Sequence, residues 1–373
     1  MPWWQPRITG GEQARIAEVL DDCFLNEGKR AEEFAAQIAR RVSAAYAVTA
    51  TSGTVGLFLA LKACGIGEGD EVLVPDLTFI ATANAVVMAG ASPILVDVRR
   101  TDLLLDPERL ASSLTPRTRA IIPVHISGRG AAMGEIVRFA RERHLVVIED
   151  AAEAMCSRSK GRFLGLWGDA GVLSFSPNKI ITTGQGGLVL TDREDIHRRL
   201  IELKDQGRPR RGTGGDDEHL SVGFNFKFTD LQAAVGLAQL ERLEERAERL
   251  RRHHAIYLDR LSRIPQLRLH RCDDDGLPLW TDGIFSSRNA LDAFLLERGA
   301  ECRRFWHPIH TQAPYRLDPT GLPTAAAYGP KALWLPSAFF LEDGDIEIVC
   351  SWIAQFYRDN PAIDREISEA TEP

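Results

Sequence analysis

One lysine has the clearest potential for chemistry in this 373-residue sequence. Lys179 stands in SFSPNKIITTGQGG (174–187), between a short apolar run and paired glycines, with serine and threonine hydroxyls nearby. A lysine amine can condense with a carbonyl group, and burial lowers its pKa so that the neutral amine can carry protons. The segment therefore predicts a lysine that reacts covalently or transfers protons.

Three further polar features lie at the ends of apolar runs or at the start of a helical pattern. Asp150 ends LVVIED (145–150), His125 ends AIIPVH (120–125), and TSGT (51–54) opens a helical segment. Because ligands of open α/β sheets bind beyond the carboxyl ends of the strands, we expect these residues to meet at one edge. Each also has a simpler explanation: an N-cap for Asp150, a hydrogen-bonded core histidine for His125, and a plain cap for the TSGT segment.

Together with the lysine, these features suit pyridoxal 5′-phosphate. A carboxylate such as Asp150 keeps the pyridine nitrogen protonated, so the ring can accept electrons released when a C–H proton leaves. Backbone N–H groups of Gly53 and Thr54 at a helix N-terminus, with the hydroxyl of Ser174, would bind the phosphate. Lys179 would condense with the aldehyde. Lys179 and Asp150 are the predicted catalytic residues.

The elements that must position these residues follow from the alternation of apolar runs and helical segments between about 45 and 190. Continuous apolar strands that alternate with helices predict an α/β fold with a largely parallel sheet buried on both faces. The predicted strands are EVLVP (71–75), PILVDV (93–98), AIIPVH (120–125), LVVIED (145–150), GVLSFS (171–176) and GLVLT (187–191), and the predicted crossover helices are TVGLFLALKA, FIATANAVVMAG and MGEIVRFARERH.

A charged segment, QLERLEERAERLRRHHAIYLDRL (239–261), places apolar residues on a helical stripe among many Glu and Arg residues. This pattern is typical of a long solvated helix that links two domains. We expect a large cofactor-binding domain with an N-terminal helix at 1–245 and a smaller C-terminal α+β domain at 246–373.

The composition of the chain argues against several classes of function. A net charge of −7 and a pI near 5.8 give no general reason to expect nucleic-acid or anionic-membrane binding. The six cysteines are scattered without a C-x-x-C pair, so neither a zinc site nor a disulfide framework is predicted. The start MPWWQPRITGGEQ lacks the pattern of a signal peptide, and we expect a cytoplasmic protein without a metal or membrane partner.

The whole sequence resembles the DegT/DnrJ/EryC1/StrS family of pyridoxal-phosphate-dependent sugar aminotransferases, which have the aspartate-aminotransferase-like fold of type I. The similarity follows the family's order over nearly the whole chain and is weaker toward the C-terminus. It is carried by LNEGKRAEEFA (25–35), the segment 51–98, IIPVHISG (121–128), VIEDAAEA (147–154), SFSPNKIITTGQGGLVLT (174–191), GFNFKFTDLQAAVGLAQL (223–240), FWHPIHTQAPY (305–315) and ALWLPSAFFLEDGDI (332–346).

The resemblance implies a role for each matching residue. Lys179 becomes the Schiff-base lysine and Asp150 the partner of the pyridine nitrogen, while Phe79 stacks on the ring unless it is a core phenylalanine. Glu153 lies near the cofactor's 3-hydroxyl, where a carboxylate would repel a phenolate unless one of the two holds a proton. Asn225 reaches the phosphate bound by the neighbouring subunit, which implies a homodimer with shared sites.

The implied reaction has two halves. L-glutamate leaves its amino group on the cofactor as pyridoxamine phosphate, and a nucleotide-linked keto-sugar then receives it. Glu153 and the motif HTQAPY (310–315) resemble the subgroup that makes 4-amino-4,6-dideoxy sugars of the perosamine type, which favours a 4-keto-6-deoxyhexose. The open alternatives are a 3-keto sugar nucleotide and a keto-inositol. A related 3-dehydratase branch carries histidine in place of lysine, so Lys179 argues against it.

The substrate residues implied by the family are Trp306, His307, His310 and Tyr315, although two histidines around a proline could equally cap a turn. Two readings outside the transaminase class also stay open at this point. They are a non-enzymatic regulator or nucleic-acid-binding protein, and a cofactor-binding scaffold without turnover.

Overall fold

The computed structural model describes residues 1–8, 10–209, 217–273 and 275–363. The helices and strands of these ranges are numbered in chain order. The helices are α1 (Gly11–Asp21), α2 (Lys29–Val42), α3 (Gly53–Ala63), α4 (Ala81–Met88), α5 (Met133–Glu142), α6 (Glu194–Lys204), α7 (Asp230–Leu240), α8 (Leu243–Leu261), α9 (Arg288–Glu297), α10 (Pro323–Tyr328) and α11 (Asp343–Asp359). The strands are β1 (Tyr46–Ala50), β2 (Glu71–Pro75), β3 (Ser92–Val96), β4 (Thr118–Ile121), β5 (Val146–Asp150), β6 (Arg158–Ser159), β7 (Arg162–Phe163), β8 (Ala170–Ser174), β9 (Gly187–Thr191), β10 (Leu267–Leu269), β11 (Asp282–Phe285), β12 (Arg303–Arg304) and β13 (Ala332–Trp334).

The larger sheet has seven strands in the order β1-β9-β8-β5-β4-β2-β3. The neighbours β8, β5, β4, β2 and β3 pair in parallel, and β9 runs antiparallel to both β1 and β8. This arrangement confirms the predicted α/β fold with a mostly parallel sheet. The six predicted strands all form, with ends that differ by a few residues from the apolar runs.

The core explains why the strands are continuously apolar. All residues of β2 and β9 are buried, as are four of the five residues of β8. Two separate apolar clusters include residues of this sheet, one packed with α2, α5 and α7 and the other with α3, α4 and α6. Because helices cover the sheet on both faces, few polar positions are tolerated along its central strands.

Strand β9 was predicted from the sequence, but its antiparallel direction was not. The edge strand β1 was not predicted. The segment between β8 and β9 contains no helix, so the chain folds back beside β8 instead of crossing over the sheet. A parallel neighbour requires a crossover connection of a dozen or more residues, usually helical. The lysine-bearing segment 175–186 is this reversing connection.

The C-terminal part contains a four-stranded antiparallel sheet in the order β10-β11-β13-β12. The predicted charged helix forms as α8, with Leu243, Leu250 and Leu261 buried and the charged residues largely outside. A third apolar cluster joins α8, α9 and α11 to this sheet. The segment PLWTDGIFSSR (278–288) contains β11.

None of the helices in the described ranges combines the length and the apolar character that crossing a lipid bilayer requires.

Candidate active site

A cleft of about 470 Å³ opens where the carboxyl ends of β5 and β8 meet the N-terminus of α3. The sheet edge at which the sequence predicted a ligand site is therefore concave. Eight of the predicted site residues line it: Gly53, Thr54, Phe79, Asp150, Glu153, Ser174, Lys179 and Trp306.

Lys179 projects into this cleft from the reversing connection after β8 and is 9 % exposed. Its Nζ lies 3.2 Å from Oε1 of Glu153 and 5.0 Å from the ring centroid of Trp280. The backbone N–H of Lys179 donates to the carbonyl of Ser176 at 3.0 Å, which fixes the turn that carries the lysine. The amine is thus almost enclosed, with one carboxylate and one aromatic face as its neighbours.

Glu153 is held on its other side by an unusual backbone conformation. Its Oε2 accepts the backbone N–H of Ser127 at 2.9 Å, and Ser127 has a left-handed φ of 54°. The indole Nε1 of Trp334 donates to the hydroxyl of Ser127 at 2.8 Å. Burial raises the pKa of Glu153, while the charge of Lys179 and the Ser127 N–H oppose that shift. A proton on Glu153 is therefore easier to keep than on an exposed glutamate.

Asp150 is the last residue of β5 and is almost fully buried. Its Oδ2 accepts the hydroxyl of Thr82 at 2.8 Å, and its Oδ1 accepts the backbone N–H of Ala152 at 3.2 Å. Burial raises the pKa of Asp150, whereas these two hydrogen bonds and the charge of Lys179 lower it. The simpler cap-like contact to Ala152 does exist, but the same carboxyl group also lines the cleft.

His125 is a hydrogen-bonded core histidine, which was the simpler explanation of this residue. Its Nε2 lies 3.0 Å from Oε2 of Glu149, and its Nδ1 accepts the backbone N–H of Ala131 at 3.1 Å. The ring is completely buried, and it belongs to the hydrogen-bonded core beneath the cleft rather than to its lining.

The N-terminus of α3 forms the opposite end of the cleft. Ser52 caps the helix by accepting the backbone N–H of Val55 at 3.2 Å, whereas the N–H groups of Gly53 and Thr54 belong to the first turn, which has no intrahelical acceptor. A Cβ on Gly53 would lie 3.0 Å from Cβ of Ser174, so glycine allows this close approach without a shift of either element. The result is a cradle of N–H and hydroxyl donors that suits an anion.

Aromatic side chains form the walls. Phe79 is 50 % exposed and faces the cleft, so it does not belong to the core. Its ring centroid lies 6.1 Å from that of Trp306, which in turn lies 4.8 Å from Trp334. Together with Trp280, these rings give a planar ligand apolar surfaces to pack against.

Four predicted residues do not line this cleft in the single chain. His307 and Asn225 are exposed, and the backbone of Asn225 bridges to Asp205. His310 is buried with its Nδ1 2.6 Å from Oδ2 of Asp76. The hydroxyl of Tyr315 donates to Oδ1 of Asn84 at 2.6 Å. Their roles toward substrate, or toward a neighbouring subunit in the case of Asn225, stay predictions.

Several residues of the site were missed in the sequence. Trp280, Trp334 and Arg303 line the cleft, and Thr82 donates to the carboxyl group of Asp150. Trp280 lies in the irregular stretch before β11, and Arg303 comes two residues before the FWHPIH motif (305–310). The only available signal was a tryptophan or arginine beside a recognised motif, and such a signal does not say which way the side chain points.

The residues of the cleft fit pyridoxal 5′-phosphate. The amine of Lys179 matches an aldehyde, the buried carboxyl group of Asp150 matches a pyridine nitrogen, and the α3 cradle matches a phosphate. The exposed ring of Phe79 matches a planar heterocycle. The close approach of Gly53 to Ser174 brings the backbone of α3 next to the serine hydroxyl.

Comparison with known proteins agrees with this chemistry. The sequence pattern of the DegT/DnrJ/EryC1/StrS aminotransferase family matches residues 6–354. The chain is 35 % identical over 365 residues to the GDP-perosamine synthase of Escherichia coli O157:H7, covering 96 % of this chain and 99 % of that protein. It is 37 % identical over 361 residues to the GDP-perosamine synthase of Caulobacter vibrioides, covering 94 % and 96 %. Its fold is similar to that of S. venezuelae DesV solved in complex with a ketimine intermediate, with a TM-score of 0.87, 32 % identity and coverage of 97 % and 95 %.

Proposed function

Since this chain belongs to the DegT/DnrJ/EryC1/StrS aminotransferase family, we propose that it transfers the amino group of L-glutamate to a nucleotide-linked keto-sugar. The preferred acceptor in this proposal is a 4-keto-6-deoxyhexose, because two relatives of similar length are named GDP-perosamine synthase. The observation that carries the proposal is the approach of Lys179 to Glu153, in one cleft with Asp150 and the α3 cradle.

Aminotransferases of this family depend on pyridoxal 5′-phosphate, which when bound supplies the electron sink for the electrons of the donor's Cα–H bond. Gly53, Thr54 and Ser174 would hold its phosphate. Asp150 would stabilise a protonated ring nitrogen, and Phe79 would cover one face of the ring. These residues and Lys179 line the same cleft, so they would hold the group within reach of the lysine amine.

The amine of Lys179 does the proton work in this proposal. When the cofactor is bound, Nζ of Lys179 would act as the general base that takes the proton from the donor's Cα and holds it for return. The same Nζ would move a proton in the opposite direction when the keto-sugar accepts the amino group. Glu153 accepts a hydrogen bond from Nζ of Lys179, which keeps the freed amine inside the cleft between the two half-reactions.

The enclosure of the cleft assists this proton transfer. Trp280, Trp306 and Trp334 exclude water on the side of the antiparallel sheet, and Lys179 itself is nearly buried. A dry site strengthens the electrostatic contacts of Asp150 and prevents loss of the transferred proton to solvent.

The remaining parts of the proposal concern organisation. We propose a homodimer in which Asn225 completes the partner's phosphate site, and its exposure on this chain is compatible with that role. We retain 1–245 and 246–373 as the two domains, which separates the seven-stranded from the four-stranded sheet. A cytoplasmic location is supported by the free state of all six cysteines.

A glutamate-dependent amination assay tests this function. Protein loaded with pyridoxal 5′-phosphate is incubated with L-glutamate and a panel of 4-keto and 3-keto sugar nucleotides and keto-inositols, and amino products are measured by mass spectrometry. We expect the 4-keto-6-deoxyhexose nucleotides to be aminated fastest. A preference for a 3-keto sugar or a keto-inositol would replace the proposed acceptor, and no product from any ketone would refute the transaminase proposal.

The role of Lys179 has its own test. Borohydride reduction of the loaded protein followed by peptide mapping should place the cofactor mass on Lys179. Lys179→Ala should lose the visible absorbance band and reduce transfer by at least about 1,000-fold, since a positioned proton-transferring group contributes roughly 100- to 10,000-fold. Lys29→Ala is the control, because Lys29 is a largely exposed lysine on α2. Cofactor mass on another lysine would overturn the assignment.

A further inference from the structure

Arg303 is a cation in the cleft for which neither the sequence nor the proposed mechanism provides a role. It lies on β12, is partly buried, and lines the same cavity as Lys179 and Glu153. Within the part of the chain that the structure describes, its guanidinium makes no hydrogen bond or ion pair with another side chain. Its five N–H donors are therefore available to a ligand, and a guanidinium makes its strongest hydrogen bonds to an anion.

Two tryptophans hold this guanidinium in place without using its donors. Its central carbon lies 4.8 Å from the ring centroid of Trp3 and 5.8 Å from that of Trp334. A guanidinium that stacks on aromatic faces keeps its N–H edges available in the plane. Because the rings limit its rotamers before any ligand arrives, less entropy is lost on binding.

The neighbouring Arg304 differs from Arg303 in its direction and in its partner. Successive residues of a strand point to opposite faces, and Arg304 points away from the cleft. Its Nε donates to Oδ2 of Asp292 at 2.7 Å, and half of its side chain is exposed. Two arginines of identical chemistry thus occupy adjacent positions: Arg304 is paired at the surface, and Arg303 has no carboxylate partner among the described residues.

Three kinds of anion would enter this cleft under the proposed function: the cofactor phosphate, the carboxylates of the donor, and the diphosphate of the acceptor. The α3 cradle at Gly53 and Thr54 already accounts for the phosphate. Arg303 lies over the ring of Trp334, and Trp334 donates to the hydroxyl of Ser127, whose backbone N–H binds Glu153. Glu153 in turn lies 3.2 Å from the amine of Lys179 in the same cleft. Arg303 is therefore on the side of the reacting nitrogen.

Covalent geometry then separates the two substrates. In an α-amino acid, a single carbon separates the reacting nitrogen from the α-carboxylate. In a sugar nucleotide that is aminated at C4, the diphosphate on the anomeric carbon lies across the sugar ring from the reacting position. A cation beside the reacting nitrogen suits the carboxylate.

We propose that Arg303 binds the α-carboxylate of the amino donor and thereby selects an α-amino acid in the first half-reaction. This inference rests on the proposed function. It assigns the donor subsite to the face of the cleft formed by β12 and β13, with Trp3 and Trp334 as its supports.

Half-reaction kinetics test the proposal. The bleaching of the loaded protein's visible band by L-glutamate is followed for the wild type, Arg303→Gln, Arg303→Lys and the control Arg304→Gln. We expect Arg303→Gln to raise the glutamate Kd about 10- to 100-fold, the loss expected for charged hydrogen bonds. Arg303→Lys should recover part of the affinity, and Arg304→Gln should match the wild type. The sugar-nucleotide KM should change by less than about threefold.

A binding measurement separates this proposal from the proposed function. Glutarate carries two carboxylates but no amine, so its affinity by titration calorimetry does not depend on turnover. We expect weaker glutarate binding to both Arg303 variants than to the wild type and Arg304→Gln. Unchanged glutamate and glutarate affinities in folded Arg303→Gln would overturn the inference, as would a loss confined to the sugar nucleotide, which would give the guanidinium to the diphosphate. A wild type that binds glutarate but aminates no ketone would instead refute the proposed function.

Discussion

Asp150 shows how one residue depends on partners that lie far away in the chain. Its carboxyl group sits at the end of a buried strand, where burial alone would favour the neutral form. The Thr82 hydroxyl from α4 and the nearby charge of Lys179 counteract that effect. Thr82 is thus a positioning residue for the carboxylate that we propose to face the cofactor nitrogen.

We predict graded losses at this pair. Asp150→Asn should reduce turnover at least about 100-fold, because an amide cannot stabilise a protonated ring nitrogen. Thr82→Val should reduce it about 10- to 100-fold, the value of one buried hydrogen bond to a charged group, and should shift the pH profile of turnover. Steady-state kinetics from pH 6 to 9 provide the measurement. Thr118→Val, which removes a buried hydroxyl from β4, should leave turnover per folded molecule unchanged; equal losses in the two threonine variants would argue against a positioning role.

At the scale of elements, the N-terminus of α3 acts as a unit. Ser52 caps the helix, Gly53 permits the close approach to Ser174, and the first-turn N–H groups remain available. A phosphate there gains from several oriented amides at once. The contribution belongs to the geometry of the helix start rather than to any one side chain.

We predict that a single methyl group disturbs this unit. In Gly53→Ala, the new Cβ would lie 3.0 Å from Cβ and 3.3 Å from Oγ of Ser174, so β8 and α3 must separate slightly. The Kd for pyridoxal 5′-phosphate should rise on the order of tenfold, the loss of about one hydrogen bond to a charged group. Fluorescence titration measures it. Gly134→Ala on α5, which meets no atom within 4 Å, is the control and should keep wild-type affinity.

Helix α8 makes a contact that depends on pH, between His254 and Thr281 beside the antiparallel sheet. His254 is buried, with Nδ1 3.1 Å from the hydroxyl of Thr281, and burial lowers its pKa to about 4 from its ordinary value of 6.5. Between these two values the unfolded chain binds a proton that the folded chain does not. Stability is therefore lost as the pH falls from 6.5 toward 4.

The corresponding prediction concerns how steeply the free energy of unfolding falls as the pH is lowered. Between pH 7.5 and pH 5, protonation of His254 should account for about 1–2 kcal/mol of the loss in unfolding free energy. His254→Gln should lose less stability over that interval than the wild type, whatever its absolute stability. Urea unfolding at several pH values measures both. Exposed His307→Gln should keep the wild-type slope, and a parallel dependence in His254→Gln would show that other groups are responsible.

At the scale of the whole molecule, a single chain holds a cleft with most of the proposed cofactor contacts, while Asn225 lies on its exterior. A homodimer in which each subunit completes the other's site would resolve this separation. The proposal makes assembly a requirement for full activity.

Subunit complementation tests this requirement. Lys179→Ala and Asn225→Ala should each be poorly active alone when pyridoxal 5′-phosphate is limiting. Mixed dimers should regain one intact site, with Lys179 from one subunit and Asn225 from the other. After exchange of equal amounts, activity should reach about one quarter of the wild-type value, because half of the dimers are mixed and each has one working site. Light scattering confirms the dimer; no recovery in dimers shown to be mixed would remove the shared-site proposal.

The sequence by itself determined the fold class and predicted which polar residues meet at one edge of the sheet. Continuous apolar strands can be buried only between two layers of helices, so the pattern from 71 to 191 predicted the sheet correctly. Lys179, Asp150 and the α3 start were found for a similar reason: they directly follow strands or open a helix, and the carboxyl ends of parallel strands must meet at one edge.

Tertiary structure alone decided what surrounds them. Trp280, Trp334 and Arg303 reach the cleft from the antiparallel sheet, more than 90 residues after Lys179, and His310 is instead bound to Asp76. No local pattern specifies such contacts, because the side on which a strand residue points depends on register and on which sheet packs against it. The candidate residues of the site could therefore be predicted from the linear chain, whereas the walls of the cleft and the position of Arg303 are set only once the two sheets are packed together.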